Sequence, residues 1–133
     1  MKKTILFSFL LCLSLFAKAQ DQVVYNTKNL PKADTVWIFK PQNYSAEKQY
    51  PLIYLLHGYS GNYKQWHSIM NAQQYADQYG FIIVCPDGLY QSWYLNSPIK
   101  KDSQYEDFFF NELHPDMLKK YSANPKQIFI SGL

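Results

Sequence analysis

The sequence contains no arginine, has only five glycines in 133 residues, and carries just two cysteines, Cys12 and Cys85. It also lacks any apolar run of the roughly eighteen residues that a membrane-spanning helix requires. Each absence removes a class of function. Without arginine, the positive charge rests on 13 lysines, and three of these, Lys2, Lys3 and Lys18, lie in the first nineteen residues, where there is no acid. The remaining ten lysines balance the 10 Asp and Glu residues, and a neutral body has no electrostatic footprint for nucleic acid or anionic lipid. What the chain does have is apolar and aromatic bulk, with 47% hydrophobic and 18% aromatic residues against 17% charged. That composition is globular, and excludes disordered, collagen-like and coiled-coil chains.

The N-terminus reads as an export signal over residues 1–19. Lys2 and Lys3 precede a twelve-residue, largely apolar run from Ile5 to Phe16, and Ala17-Lys18-Ala19 places small residues where a signal peptidase reads them, so cleavage is expected before Gln20. Twelve residues are too few to cross a bilayer core of about 30 Å at about 1.5 Å per helical residue. A lipid attachment at Cys12 is disfavoured because Leu11 precedes it rather than a small residue. The expected destination is secreted or periplasmic, with no membrane association after cleavage. The rest of the chain, residues 20–133, then holds one cysteine, Cys85, and one thiol cannot form an intrachain disulfide. Within Phe81-Ile82-Ile83-Val84-Cys85 that thiol reads as buried and inert.

The body alternates strand and helix. Thr35 to Lys40 alternates apolar and polar residues before Pro41, which predicts an antiparallel strand near a sheet edge. Leu52 to Leu56 and Phe81 to Cys85 are continuous apolar runs of strand length, suited to strands covered on both faces. A helix is predicted over about 71–79, with Ala72, Tyr75, Ala76 and Tyr79 on one stripe and Gly80 as its cap. Tyr105, Phe108, Phe109, Leu113, Met117 and Tyr121 form a second stripe, which Pro115 must kink or restart. Gln127 to Ser131 reads as a third strand. The pattern is an edge strand followed by βαβαβ, a parallel sheet with flanking helices, and in such sheets ligands bind beyond the C-terminal strand ends. His57 to Asn62, Pro86 to Tyr94 and Ser131 to Leu133 fall at those ends.

The segment Leu55-Leu56-His57-Gly58-Tyr59-Ser60-Gly61-Asn62 resembles the oxyanion loop of α/β-hydrolases. Pro86-Asp87-Gly88, Ser92-Trp93-Tyr94-Leu95-Asn96-Ser97-Pro98 and Phe129-Ile130-Ser131-Gly132-Leu133 follow in the order of the same superfamily's later landmarks. Together they are similar to the esterase D and feruloyl-esterase-like branch, over about residues 35–133. The resemblance implies an α/β-hydrolase fold, of which this chain is expected to be the N-terminal portion only. It also implies an oxyanion hole in which the Tyr59 N–H takes part, with His57 and Gly58 shaping the loop and Ser60, Trp93 and Tyr94 near the substrate. Gly58 leaves the backbone free of a Cβ where it must approach the substrate.

In this superfamily the nucleophile stands in G-x-S-x-G, and the catalytic order is Ser, then acid, then His. Ser60 fails the pattern, because Asn62 stands where the second glycine should be; Ser131 fails it because Phe129 precedes it by two. Gly132 and Leu133 fit the first two positions of the motif, as the start of a nucleophile elbow. The serine, acid and histidine are then expected beyond Leu133, and the 133 residues by themselves are expected to be inactive. His57 is expected to be structural. Asp87 in Pro-Asp-Gly reads as a turn residue bonding its own backbone, while Trp93 and Tyr94 suit either a pocket wall or loop packing. His67 and His114 have no ligand partners at metal spacing, and Glu112 and His114 point apart on a helix, so neither a metal nor a cofactor is expected.

The function expected by resemblance is that of a secreted serine esterase acting on small-molecule or polysaccharide-linked esters, either acyl or feruloyl groups on carbohydrates or short-chain acyl esters. The export signal disfavours the cytoplasmic thioester hydrolases of the branch. A serine peptidase of the same fold and a non-catalytic carbohydrate-binding module are the alternatives. Nucleotide binding is disfavoured because no G-x-G-x-x-G follows the first strand.

Overall fold

A computed structural model describes residues 19–133. The export segment read over 1–19 therefore lies outside the described residues except for Ala19, as does Cys12. The elements run β1 (Gln20–Tyr25), β2 (Asp34–Phe39), β3 (Tyr50–Leu56), α1 (Gln65–Met70), α2 (Ala72–Tyr79), β4 (Ile82–Pro86), α3 (Tyr105–Phe108), a π-helical turn (Phe109–Leu113), α4 (His114–Lys120) and β5 (Ala123–Gly132). One five-stranded sheet has the order β1-β2-β4-β3-β5. β4, β3 and β5 are mutually parallel, while β1 and β2 are antiparallel additions on the β4 side.

The continuous apolar runs are explained by two covered faces. On β4, Ile82 and Val84 point into one core with Leu52 and Tyr54, beneath Tyr105, Phe108, Leu113 and Met117. Ile83 and Cys85 point to the opposite face, where Phe39, Leu55, Ala72 and Ala76 lie. An alternating strand with both faces buried has no polar position to give, so its sequence loses the period of two. Gly80 closes α2 in the left-handed conformation at φ +67°. The long stripe stays on one helical path: α3 passes through the π-turn into α4 with helical backbone angles at Phe108, Phe109, Leu113 and His114, and Pro115 sits in the first turn of α4, directly after the π-turn.

Two elements are not predicted from the sequence. β1 occupies the sheet edge outside β2, its Val23 and Tyr25 packing on the core, so the Thr35–Lys40 strand stands one place in from the edge. α1 is only six residues long and buries none of them fully, although Trp66 and Met70 pack against the core of that face, so its periodic pattern is too short to read.

Candidate active site

The parallel strands β3, β4 and β5 end side by side, and the loops that leave them enclose a cavity of about 210 Å³. Leu56 to Tyr59 form one wall, Gly88 to Tyr90 with Trp93 and Tyr94 a second, and Gly132 with Leu133 a third. Of the residues singled out from sequence, His57, Gly58, Tyr59, Trp93, Tyr94, Gly132 and Leu133 meet here. Ser60 does not. It stands exposed on the outer side of the turn with φ +62°, away from the cavity wall.

His57 is held on both ring nitrogens. Its Nδ1 lies 2.7 Å from the Gly58 carbonyl, and its Nε2 donates to the Asp87 carbonyl on the neighbouring loop. A ring set between two backbone carbonyls ties the β3 and β4 loops together. The Tyr94 hydroxyl accepts from the His57 N–H at 2.9 Å, and the Trp66 indole donates to the Leu56 carbonyl at 3.0 Å. The next turn closes with Gly61 N–H donating to Gly58 carbonyl at 3.1 Å. Among the described residues no group accepts from the Tyr59 N–H, which lies between these fixed points. Across the cavity, Leu133 N–H donates to Leu56 carbonyl at 3.3 Å and sets the β5 end against the loop that follows β3.

The β4 loop is strained and heavily tethered. Leu89, Trp93 and Tyr94 have φ of +55°, +53° and +57°, each costing about 1 to 2 kcal/mol in a residue with a side chain. Ser92 offsets part of this: its hydroxyl donates to the Gly88 carbonyl and accepts from the Tyr94 N–H at 3.0 Å. Gly88, at φ +67°, sits under the Tyr94 ring, and a Cβ there would come within 2.5 Å of ring carbons. Trp93 is 68% exposed and stacks on Tyr59 at 5.9 Å, and Tyr90 meets Tyr59 edge-on at 5.3 Å. Of the two roles open to Trp93 and Tyr94, Trp93 walls the cavity mouth, while Tyr94 both lines the cavity and packs the loop. Beyond Trp93 a wider groove of about 1010 Å³ continues past Leu89, Tyr90, Asn96 and Lys100.

The carboxylate that anchors the turn is Asp34, not Asp87. Asp34 is fully buried at the start of β2, and it accepts from the N–H groups of Asp87 at 3.2 Å and Gly88 at 3.1 Å and from the Tyr105 hydroxyl at 3.0 Å. Burial pushes its carboxyl up to about 7, against the opposing pull of the hydrogen bond from Tyr105. The Asp87 side chain, read as bonding its own backbone, makes no such bond among the described residues. Asp34 left only a faint sequence signal, an isolated acid at the first position of an apolar strand. Tyr105 was legible as core, but its hydroxyl needs a partner when buried.

The remaining candidates take structural places. Burial pushes the Cys85 thiol up to about 12, so it stays protonated and inert. His67 packs against Phe39 and Trp37 at ring separations of 5.0 and 4.9 Å. His114 Nδ1 is 2.9 Å from the Tyr54 hydroxyl, while Glu112 accepts from Thr27 and Asn29. Among the described residues no group of three or more His, Cys, Asp or Glu side chains could hold a metal ion.

Residues 27–133 match the model of the Esterase family, described as "Putative esterase". The chain belongs to that family. It is 25% identical to feruloyl esterase B of Neurospora crassa over 126 residues, covering 92% of this chain and 40% of that protein. A solved ferulic acid esterase superposes with a TM-score of 0.72 at 25% identity, over 85% of this chain and 48% of the other. A shorter stretch of 53 residues, 38% of this chain, is 38% identical to dipeptidyl-peptidase 5 of Aspergillus fumigatus, of which it covers 7%. The chain thus spans less than half the length of each of these relatives. The architecture is that of the α/β-hydrolase esterases.

Proposed function

We propose that this chain supplies the oxyanion side of a serine-dependent carboxylic ester hydrolase. In the whole protein the nucleophile would follow Gly132-Leu133. The substrate would be a small-molecule or polysaccharide-linked ester, with an acyl or feruloyl group on a carbohydrate or a short-chain acyl ester, reached after export through residues 1–19. The observation that carries the reading is the unpartnered Tyr59 N–H at the rim of the cavity that Leu133 also lines. Membership of the Esterase family and the likeness to feruloyl esterase B support it.

In this mechanism the serine oxygen attacks the ester carbonyl carbon, and the carbonyl oxygen gains negative charge. The Tyr59 N–H and the N–H of the residue after the serine hold that charge. Fixed donors are effective because they need not reorient when the charge appears, and the tethers on His57, Trp66 and Leu133 hold this one still. His57 serves as a strut of the loop, and proton transfer falls to a histidine later in the chain.

Replacing Tyr59 tests the assignment in the whole protein with p-nitrophenyl acetate. Tyr59→Pro removes the N–H and is expected to lower kcat by about 10²- to 10³-fold, as losses of single oxyanion donors do. Tyr59→Ala keeps the N–H and is expected to retain kcat within a few-fold. Equal kcat in the two variants would remove Tyr59 from the mechanism. A peptidase reading draws on the 53-residue likeness to dipeptidyl-peptidase 5; preferential cleavage of a dipeptide anilide over the ester would favour it.

A further inference from the structure

We propose that Asp34, reaching the site from the antiparallel β2 strand, is a positioning residue for the oxyanion loop and acts together with Tyr105. The inference rests on the oxyanion reading above and adds the groups that aim its donor. A carboxylate buried among apolar side chains costs stability that an apolar residue of similar size would not. A purely structural strand start has no need of it. What a carboxylate does here, and an apolar residue cannot, is accept two successive N–H groups, those of Asp87 and Gly88, and so fix the orientation of the peptide at the end of β4.

Two routes lead from that peptide to the residue preceding Gly58-Tyr59. In the first, the Asp87 carbonyl, turned by the anchored N–H groups beside it, receives the His57 Nε2 bond. In the second, the Tyr105 hydroxyl donates to Asp34 and accepts from the Gly88 N–H at 3.2 Å. The Tyr105 ring meets the Tyr94 ring edge-on at 5.1 Å and 90°, and Tyr94 in turn accepts the His57 N–H. Side chain and backbone of His57 are thus fixed through separate contacts that share one origin. Neither Asp34 nor Tyr105 lines the cavity, so their effect on the reaction passes through His57.

The test uses the whole protein with Asp34→Asn and Tyr105→Phe. Tyr105→Phe keeps the ring packing, so it remains informative if Asp34→Asn fails to fold. Circular dichroism establishes which variants are folded at the assay temperature. A folded variant is expected to lose about tenfold or more in kcat on p-nitrophenyl acetate while KM stays within a few-fold, since a small misplacement of a catalytic donor is costly in rate. The amide resonances of His57 and Tyr59 are expected to shift in both variants. A purely structural role would lower the unfolding midpoint without moving either readout. Folded variants with unchanged kcat and unmoved amides overturn the inference. If the unsubstituted protein fails to turn over the ester, the oxyanion reading fails. The amide resonances then still decide whether Asp34 holds the loop.

Discussion

The carboxyl of Asp34 has lost its water on burial, and the two N–H groups and one hydroxyl around it replace only part of that hydration. Its pKa is raised from 3.8 to about 7 in the fold. The native state therefore binds a proton more readily than the unfolded chain between these values. The contribution to stability is fully present below about pH 4 and is lost as the pH rises to about 7, at up to about 1.4 kcal/mol per pH unit. Urea unfolding of the wild type at pH 5 and pH 8 is expected to show this loss, and Asp34→Asn to show less of it; parallel profiles would contradict the assignment. At this scale His57 and Gly58 were legible because their motif is local, and the loop between Leu56 and Asn62 needs only itself to be recognised. Asp34 and Tyr105 were not, since their roles arise from a meeting of β2, the β4 loop and α3 that no window of sequence contains.

Among the elements, β3 and β4 were the most legible, because a strand covered on both faces shows a continuous apolar run and nothing else of that length competes. β1 and α1 escaped for the converse reason: β1 is half polar at a sheet edge, and α1 is only six residues long with none fully buried. Pro115 marked an irregularity in the long stripe, but not the π-turn between Phe109 and Leu113 directly before it. β5 differs from its parallel partners in pairing with β3 alone among the described strands, which leaves Phe129 51% and Ile130 53% exposed. Leu52, in contrast, is fully buried. Leu52→Ala is therefore expected to destabilise this chain by about 2 to 5 kcal/mol, and Phe129→Ala by less than about 1 kcal/mol. Comparable losses in denaturant unfolding would contradict the layer assignment.

At the scale of the molecule, three parallel strand ends gather an unpartnered N–H, an aromatic-walled cavity and the Gly132-Leu133 terminus of β5 into one place. The fold class was readable because the loop motifs each fall at the C-terminal end of one of the parallel strands. Substrate choice was not, because the groove beyond Trp93 is shaped by strained backbone at Leu89, Trp93 and Tyr94 that composition does not encode. Among the described residues no serine is hydrogen-bonded to a histidine, and both ring nitrogens of His57 face backbone carbonyls. The reading proposed above assigns the reaction to a serine that would follow Leu133. Reaction of the whole protein with a fluorophosphonate, followed by peptide mass spectrometry, tests this most directly. The predicted result is a single adduct on a serine adjoining Leu133; an adduct on Ser60, Ser92 or another residue described here would contradict it.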